Sequence, residues 1–513
     1  MCFMKTVVHV ISHSHWDREW YLPFETHRRR LLTLMDECMK AFEEEKGYEK
    51  FHLDGQTIVL EDYLEIYPDR KDELTEYIRK GNFQIGPWYV LQDEFLTSGE
   101  ANVRNLLYGI EDAKKYGSVC KTGYFPDAFG NVGQMPQILK QAGMEAVAFG
   151  RGVRPVGFNN QVEGNDYLSA FSELTWKSPD GSELLGILFA NWYNNGSEIP
   201  VEETAAKEYW DRKLKDAGKF AATEHLLLMN GSDHQPIQKN LPEALETAGK
   251  LYPDVIFLHS DFPTYIECVK KSLDSELSVV TGELTSQETD GYNTLVNTAS
   301  SRNYLKAANR KNEVLLEKMA EPVSVMAMRE GMDYPHDSIC GCSIDAVHRE
   351  METRFEKSLE VSEQIVEDAK EFMASEIDTS FFGKYGKSAI PFVVWNTVGW
   401  NRTETTEVTL DLYKDDKDDL TQAYRELENF PLDEWRLINH KGKEIPCEIK
   451  DQGVQFGYIL PEDAFRKRYM SRQVTVSFQT EIEAMGYRTF ALVPGKKIAF
   501  EKESLITGQN RIQ

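Results

Sequence analysis

Short apolar runs alternate with segments of helical periodicity through the first half of the chain, and this alternation constrains the fold more than any other feature. The helical segments include residues 28–45 and 62–79, and the first of them places its apolar residues on one face. Alternation of this kind predicts a parallel sheet covered by helices. We therefore expect an α/β fold, with a (β/α) domain at residues 1–282. The apolar runs that predict its strands are residues 7–11, 51–53, 83–85, 146–149, 226–228 and 255–258.

Two further regions follow, each with its own pattern. Residues 283–385 contain long amphipathic stretches at 301–319 and 344–374, which predict a helical hairpin or small bundle. Residues 386–513 contain short strand-like runs separated by polar loops, which predict the first part of an antiparallel β domain. These runs are residues 392–395, 405–410 and 474–476.

Charge and composition exclude several classes of protein. The net charge of −26 over 513 residues argues against nucleic acid or an anionic membrane surface as a partner. No apolar run reaches the roughly 18 residues of a transmembrane helix, and the first residues do not have the pattern of a signal peptide. The seven cysteines are odd in number and predict reduced thiols in a cytoplasmic protein. Cys340 and Cys342 have no second cysteine pair beside them, so we interpret them as small packing residues.

The segment after the first apolar run is rich in metal-binding side chains. Residues 13–20 read HSHWDREW, and ligands of α/β proteins bind beyond the carboxyl ends of the strands. His15 and Asp17 are two residues apart, so in extended backbone they point the same way and can hold one metal ion. Trp20 can offer a flat apolar face beside it. A nitrogen and oxygen ligand set suits Zn²⁺, and would also suit Co²⁺ or Mn²⁺.

Two aspartates and one further histidine stand in contexts that suggest chemistry. Asp127 lies in an aromatic segment, and Asp233 lies in the segment 230–234 that directly follows the apolar run 226–229. Paired carboxylates are what glycoside cleavage needs, although each aspartate alone is more typical of a helix cap or a turn. His336 lies between the two amphipathic stretches and by itself is typical of a hydrogen-bonded structural histidine.

Four motifs, in order along the chain, resemble glycoside hydrolase family 38, the retaining α-mannosidases. Residues 13–20 resemble the metal motif of that family, and residues 126–130 (PDAFG) its nucleophile segment. Residues 231–234 (GSDH) resemble the acid/base segment, and residues 336–337 (HD) the late metal-binding histidine. The bacterial α-mannosidases and mannosylglycerate hydrolases are the most similar members.

The resemblance implies a role for each residue of the site. Asp127 would be the nucleophile that forms a covalent mannosyl-enzyme, and Asp233 would be the acid/base. Retention implies that these two carboxyl groups lie about 5–5.5 Å apart. One Zn²⁺ would bind the 2-OH and 3-OH of mannose, and its protein ligands would be His15, Asp17, Asp127 and His336. The substrate would also contact Trp20, Arg151 and Asp337.

The resemblance also implies what the chain lacks and leaves alternatives open. Family members continue into more β-sheet, so we expect a truncated or split member that acts alone, as a homo-oligomer or with a separate C-terminal chain. The substrate would be a mannoside or oligosaccharide; the alternatives are a non-catalytic carbohydrate-binding remnant and a metal-dependent carbohydrate deacetylase. Arg18, Arg151 and Arg154 suit an anionic aglycone, but equally suit salt bridges with carboxylates of the site.

Overall fold

A computed structural model describes most of the chain and divides it into two compact units. The first comprises Met1–Glu313 and Gly331–Leu359, and the second Val314–Glu330 and Glu360–Gln513. The predicted boundaries at 282/283 and 385/386 stay predictions. The structure describes residues 5–20, 22–44, 46–155, 168–274, 276–286, 288–289, 292–322, 345–415, 419–432, 435–459 and 467–496.

Helices and strands alternate in the first unit, and the last two helices given below begin in this unit and end in the second. The strands are β1 (Thr6–Ser12), β2 (Phe51–His52), β3 (Phe83–Gln84), β4 (Thr122–Phe125), β5 (Ala146–Phe149), β6 (Arg154–Pro155), β7 (Leu168–Ser169), β8 (Glu173–Lys177), β9 (Glu183–Leu188), β10 (His225–Asn230), β11 (Val255–His259), β12 (Val279–Thr281), β13 (Glu288–Thr289) and β14 (Tyr292–Asn293). The helices are α1 (Phe24–Glu44), α2 (Ile58–Leu64), α3 (Lys71–Lys80), α4 (Gly99–Tyr116), α5 (Met135–Gln141), α6 (Glu203–Gly218), α7 (Leu241–Leu251), α8 (Phe262–Ser272), α9 (Asn303–Leu315) and α10 (Asp345–Ser375).

Parallel pairing dominates the first unit, as the sequence predicts. Strand β1 lies between β10 and β11, parallel to both. A second sheet has the order β12-β8-β9-β5-β4, in which β8 and β9 form an antiparallel pair that the prediction did not include. Buried apolar side chains of β1 and β10, including Val8, Val10 and Leu228, pack against α1, which buries Leu31 and Met35 on its predicted face.

One predicted helix is wrong. Residues 62–79 do not form a continuous helix, because α2 ends at Leu64 and α3 begins only at Lys71. A short 3₁₀ turn, Pro68–Arg70, separates them. Proline lacks the amide hydrogen that an uninterrupted helix would need, and its ring clashes with the preceding turn, so the helical pattern is divided there.

Antiparallel sheets form the second unit. Its strands are β15 (Ile390–Asn396), β16 (Arg402–Asp415), β17 (Trp435–Asn439), β18 (Glu444–Ile445), β19 (Cys447–Ile459), β20 (Lys467–Ile482) and β21 (Gly486–Pro494), and its short helix is α11 (Leu420–Glu428). The sheet orders are β15-β21-β17-β18 and β16-β20-β19. Side chains such as Leu437, Val476 and Leu492 form their shared core. Among the described residues, no helix is both long and apolar enough to cross a bilayer.

Candidate active site

Backbone pairing between β1 and β10 continues beyond the ends of both strands. The amide of His15 donates to the carbonyl of Ser232 (3.1 Å), and the amide of His234 donates to the carbonyl of His15 (2.9 Å). These bonds place His15 directly beside Asp233. Two of the predicted motifs, more than 200 residues apart in the sequence, therefore meet at the carboxyl ends of adjacent strands.

Gly231 makes this close approach sterically feasible. A Cβ atom at this position would lie 1.9 Å from the carbonyl oxygen of His13. Only glycine fits between the two backbones, so the glycine of the GSDH motif has a packing role.

His15 lies between two carboxylates. Its Nε2 is 3.0 Å from Asp17 Oδ1, and its Nδ1 is 2.9 Å from Asp54 Oδ2. Asp54 Oδ2 also accepts a hydrogen bond from the amide of Trp16 (2.8 Å). Burial alone would lower the pKa of His15, but the charges of Asp17 and Asp54 raise it well above its usual value.

The geometry around His15 fits a zinc-type cation. Among the described residues, His15 Nε2 makes no hydrogen bond of good geometry, although Asp17 Oδ1 is close to it. A nitrogen and a carboxylate oxygen side by side and buried are the donors that such an ion binds. Asp54 on the opposite ring nitrogen is the outer partner that metal-binding histidines usually have. His15 and Asp17 are therefore two of the described residues that could hold the ion.

Asp127 lies beyond the end of β4, held by an arginine. Arg151 donates from Nε to Asp127 Oδ1 at 2.6 Å, and its guanidinium lies 5.0 Å from the ring centroid of Trp192. Asp127 and His15 line one small cleft. Gly150 directly follows β5, and Pro126 directly follows β4. A Cβ atom at position 150 would lie 2.1 Å from the carbonyl oxygen of Pro126, so glycine at this position permits the ends of β4 and β5 to approach each other.

Tyr193 links the carboxylates of this region. Its hydroxyl donates to Asp233 Oδ1 at 2.8 Å. Burial and the negative charges of Asp127, Asp233 and Asp17 raise the pKa of Tyr193, so its hydroxyl stays protonated. Tyr193 is therefore a neutral donor among three carboxylates.

Trp20 belongs to the same region through His234. The imidazole Nε2 of His234 is 3.2 Å from Asp17 Oδ2, and its ring meets the indole of Trp20 edge to face with centroids 6.0 Å apart. The loop that carries Trp20 is fixed by a buried ion pair, in which Arg354 of α10 donates to Glu19 Oε1 at 2.6 Å.

Of the eight predicted site residues, the described part of the chain contains six, and they lie in this one region: His15, Asp17, Trp20, Asp127, Arg151 and Asp233. His336 and Asp337 lie outside the described residues. Asp54, Tyr193 and His234 also belong to the region, but the sequence interpretation gave them no role. Asp54 follows an apolar run and His234 follows Asp233, which were usable signals, whereas nothing in the sequence marks Tyr193.

Two of the three arginines considered for an anionic aglycone are paired with carboxylates. Arg18 donates from Nε and Nη2 to Asp62 at 2.8 and 2.7 Å, and Arg151 binds Asp127. The interpretation as salt bridges with carboxylates of the site therefore holds for Arg151, whereas Arg18 pairs with Asp62 of α2, which is not one of the predicted site residues.

Comparison with known families and proteins agrees with this arrangement. Residues 5–283 match the model of the glycosyl hydrolases family 38 N-terminal domain, and residues 387–494 match that of the family 38 C-terminal domain 1. A protein of Halalkalibacterium halodurans named "Putative mannosylglycerate hydrolase" is 47% identical over 98% of this chain and 58% of its own length. Mouse α-mannosidase 2C1 is 28% identical over 38% of this chain and 18% of its own length.

Two crystal structures from Enterococcus faecalis are similar throughout. An α-mannosidase has 44% identity and a TM-score of 0.89, covering 97% of this chain and 57% of that one. A family 38 glycosyl hydrolase has 36% identity and a TM-score of 0.80, covering 99% and 56%. The chain thus spans less than three fifths of the length of these relatives. Because the N-terminal domain model alone matches more than half of the chain, this protein belongs to the glycosyl hydrolases of family 38.

Proposed function

We propose that this protein hydrolyses terminal α-mannosidic bonds with retention of configuration, through a covalent mannosyl-aspartate. The observation that carries the proposal is the meeting of His15 and Asp233 at the ends of β1 and β10, with Asp127 in the same cleft as His15. A metal-binding histidine and two carboxylates are the groups that such a reaction needs.

In this proposal, Asp127 attacks the anomeric carbon. Arg151 binds Asp127 Oδ1 and keeps a positive charge beside it, so the attacking atom is Oδ2. The product of this step is an ester between Asp127 and the sugar, and water then hydrolyses that ester.

Asp233 protonates the leaving oxygen and afterwards removes a proton from the attacking water. The hydroxyl of Tyr193 donates to Asp233 Oδ1. The transferred proton therefore resides on Oδ2, and Tyr193 fixes which of the two oxygens faces the glycosidic bond.

His15, Asp17 and Asp127 are the described residues that would hold a Zn²⁺, with His336 as a further proposed ligand. When bound, the ion supplies a Lewis acid that orients two hydroxyl groups of mannose. Trp20, Arg151 and Asp337 are proposed to contact the sugar. One relative is named as a mannosylglycerate hydrolase, so glycerate is one of the leaving groups that should be tested.

The test is hydrolysis of an activated aryl α-mannoside by the metal-replete chain, with the anomer of the first product followed by NMR. We expect turnover that yields the α-anomer and that Asp127→Asn or a chelator abolishes. A slow fluorosugar substrate should label Asp127, and mass spectrometry of its peptide would locate the ester.

Each contrary result has a distinct meaning. Release of the β-anomer would contradict retention. Binding of mannose without turnover by folded, zinc-loaded protein would favour the carbohydrate-binding remnant. Release of acetate from an acetylated sugar would favour the deacetylase.

A further inference from the structure

A second group of metal-binding side chains lies within the first unit and shares no residue with the candidate active site. His9 is on β1, His225 is the first residue of β10, and Cys268 is on α8. One ligand atom from each lies within 4.8 Å of the others. His9 Nε2 and His225 Nδ1 are 3.0 Å apart.

These distances are close to those of a bound metal. Two nitrogens at about 2.0–2.1 Å from a tetrahedral zinc stand roughly 3.3 Å apart, and a thiolate at about 2.3 Å stands roughly 3.6 Å from each. The histidine pair needs to open by a few tenths of an ångström, and the Cys268 sulfur needs to move inward by at most about one ångström, since it lies within 4.8 Å of both nitrogens. A side-chain rotation at Cys268 supplies such a movement without a change in the helix.

The surroundings fix the orientation of His9. Its other ring nitrogen, Nδ1, is 2.8 Å from Ser260 Oγ, and the ring of Tyr265 packs edge to face against it with centroids 5.3 Å apart. An outer hydrogen bond on the second nitrogen is the arrangement that orients a metal-binding imidazole. His9 and His225 are buried, whereas Cys268 is half-buried and provides the side from which an ion could enter.

Both imidazoles are neutral at physiological pH. Burial and the neighbouring His225 lower the pKa of His9 to about 4, and burial lowers the pKa of His225. Neutral imidazole is the form that binds a metal, so neither ring has to lose a proton overall. The nitrogen that donates in the His9–His225 hydrogen bond must exchange its proton for one on the other nitrogen of the same ring, a change of tautomer, before both nitrogens can bind one ion. Only the thiol of Cys268 must release its proton to solvent as the metal–sulfur bond forms.

We propose that His9, His225 and Cys268 form a second metal site, with a water molecule as the fourth ligand. A set of two imidazoles and one thiolate selects Zn²⁺ and similar thiophilic divalent ions over Mg²⁺ or Ca²⁺. The bound ion joins β1 and β10, which lead into His15 and Asp233, to helix α8. Its role is structural support of the strands beneath the active site.

A thiolate makes this site spectroscopically separable from the active site, whose proposed ligands are only nitrogen and oxygen. The full chain, freed of metal, is titrated with Co²⁺ or Cd²⁺, and the thiolate-to-metal charge-transfer absorption is recorded. We expect about one equivalent of this absorption, lost on addition of Zn²⁺. It should persist in Asp17→Asn, which removes a proposed ligand of the other site.

Three variants decide the assignment. Cys268→Ser should abolish the absorption, His225→Asn should weaken binding of the probe ion at least tenfold, and Cys447→Ser, at another half-buried cysteine that forms no disulfide, should change nothing. Circular dichroism establishes that each variant is folded. Absence of the band in folded wild-type protein, or its survival in Cys268→Ser, would overturn the proposal and leave His9 and His225 as a simple hydrogen-bonded pair.

Discussion

At the scale of single residues, Asp54 has the most informative position in the candidate site. It binds the nitrogen of His15 that faces away from Asp17, and it also accepts the amide of Trp16. One carboxylate therefore fixes both the ring orientation of His15 and the backbone of the loop that carries Asp17. Such outer partners influence metal affinity strongly although they do not touch the ion.

We expect Asp54→Asn to weaken Zn²⁺ binding by about 10- to 100-fold, because the amide holds the imidazole less firmly and makes it less basic. Competition with a chromophoric chelator measures the affinity. Asp180→Asn, in the exposed turn between β8 and β9, serves as the control and should bind as the wild type does. An unchanged affinity in Asp54→Asn would mean that His15 does not hold the ion.

The hydrogen bond from Tyr193 to Asp233 gives a second prediction. We expect Tyr193→Phe to lower kcat/KM by about 10²-fold or less for mannosides with poor leaving groups, which need a well-placed proton donor. Aryl mannosides with good leaving groups should be affected much less. Steady-state kinetics over a series of leaving groups measures the difference.

Tyr252→Phe is the matched control for Tyr193→Phe, because its hydroxyl contacts Asp211 on the surface. Its kinetics should equal those of the wild type. A loss in Tyr193→Phe that is uniform across all leaving groups would contradict the role in proton transfer and indicate a role in binding.

Glu94 gives a prediction about stability. It is buried in the first unit, and only its Oε2 has a hydrogen-bond partner among the described residues, the amide of Val132. Burial, with a contribution from Asp93, raises the pKa of Glu94 well above its usual value. The folded protein therefore binds this proton more tightly than the unfolded chain does.

The sign of the pH effect follows from that difference. The contribution of Glu94 to the free energy of unfolding is greatest below about pH 4.5, and it falls by up to about 1.4 kcal/mol per pH unit as the pH rises toward the folded pKa. Glu94→Gln should remove this decline, which urea unfolding between pH 5 and 8 would measure. Arg70 lowers the pKa of Glu73, so Glu73→Gln should leave the slope in this range unchanged.

At the scale of elements, the continued pairing of β1 and β10 depends on Gly231. We expect Gly231→Ala to destabilise the protein by about 1–3 kcal/mol and to reduce activity, because the added methyl group would meet the His13 carbonyl. Gly249→Ala, inside α7 with open space around it, should instead stabilise by about 0.5–1 kcal/mol. Urea unfolding of both variants is the measurement; equal stability of the two would contradict this account.

The sequence predicts these elements well where one local pattern determines them. Apolar runs located β1, β2, β3, β5, β10 and β11, and the segment after the run of β10 located Asp233. No predicted run covered β4, and Asp127 was identified from its motif instead. The prediction of one helix over residues 62–79 was wrong, because Pro68 interrupts the helix although the apolar residues on both sides keep a helical spacing. The pattern could not reveal that β8 and β9 pair antiparallel, since that depends on the turn between them.

Prediction of the candidate site from the sequence has the same limit: it succeeds only where residues are related by a local pattern. The spacing of His15 and Asp17 was enough to predict that their side chains lie together, because side chains two residues apart in extended backbone point to the same side of the strand. Asp54 and Tyr193 come from separate segments, and only the fold brings them to His15 and Asp233. A residue that acts by positioning another carries no chemistry of its own that a local pattern can mark.

At the scale of the whole molecule, the net charge of −26 predicts a dependence of stability on salt. Self-repulsion destabilises a compact state, and ions screen it. We expect the melting temperature at pH 7 to rise as sodium chloride is added from low ionic strength to about 0.15 M, where the Debye length is about 8 Å. Near the isoelectric point of about 5.0 the same addition should have little effect, and calorimetry at both pH values would show this. An equal response at both would contradict it.

The ion pair between Glu19 and Arg354 joins residues 335 positions apart. During synthesis, at about 5–20 residues per second, Glu19 leaves the ribosome roughly 20–70 seconds before its partner exists. Throughout that interval the buried carboxylate of Glu19 has Arg18 as a neighbouring charge but not Arg354, and the loop bearing Trp20 lacks this second ion pair. The nascent chain therefore completes the candidate site only after most of the polypeptide has been made.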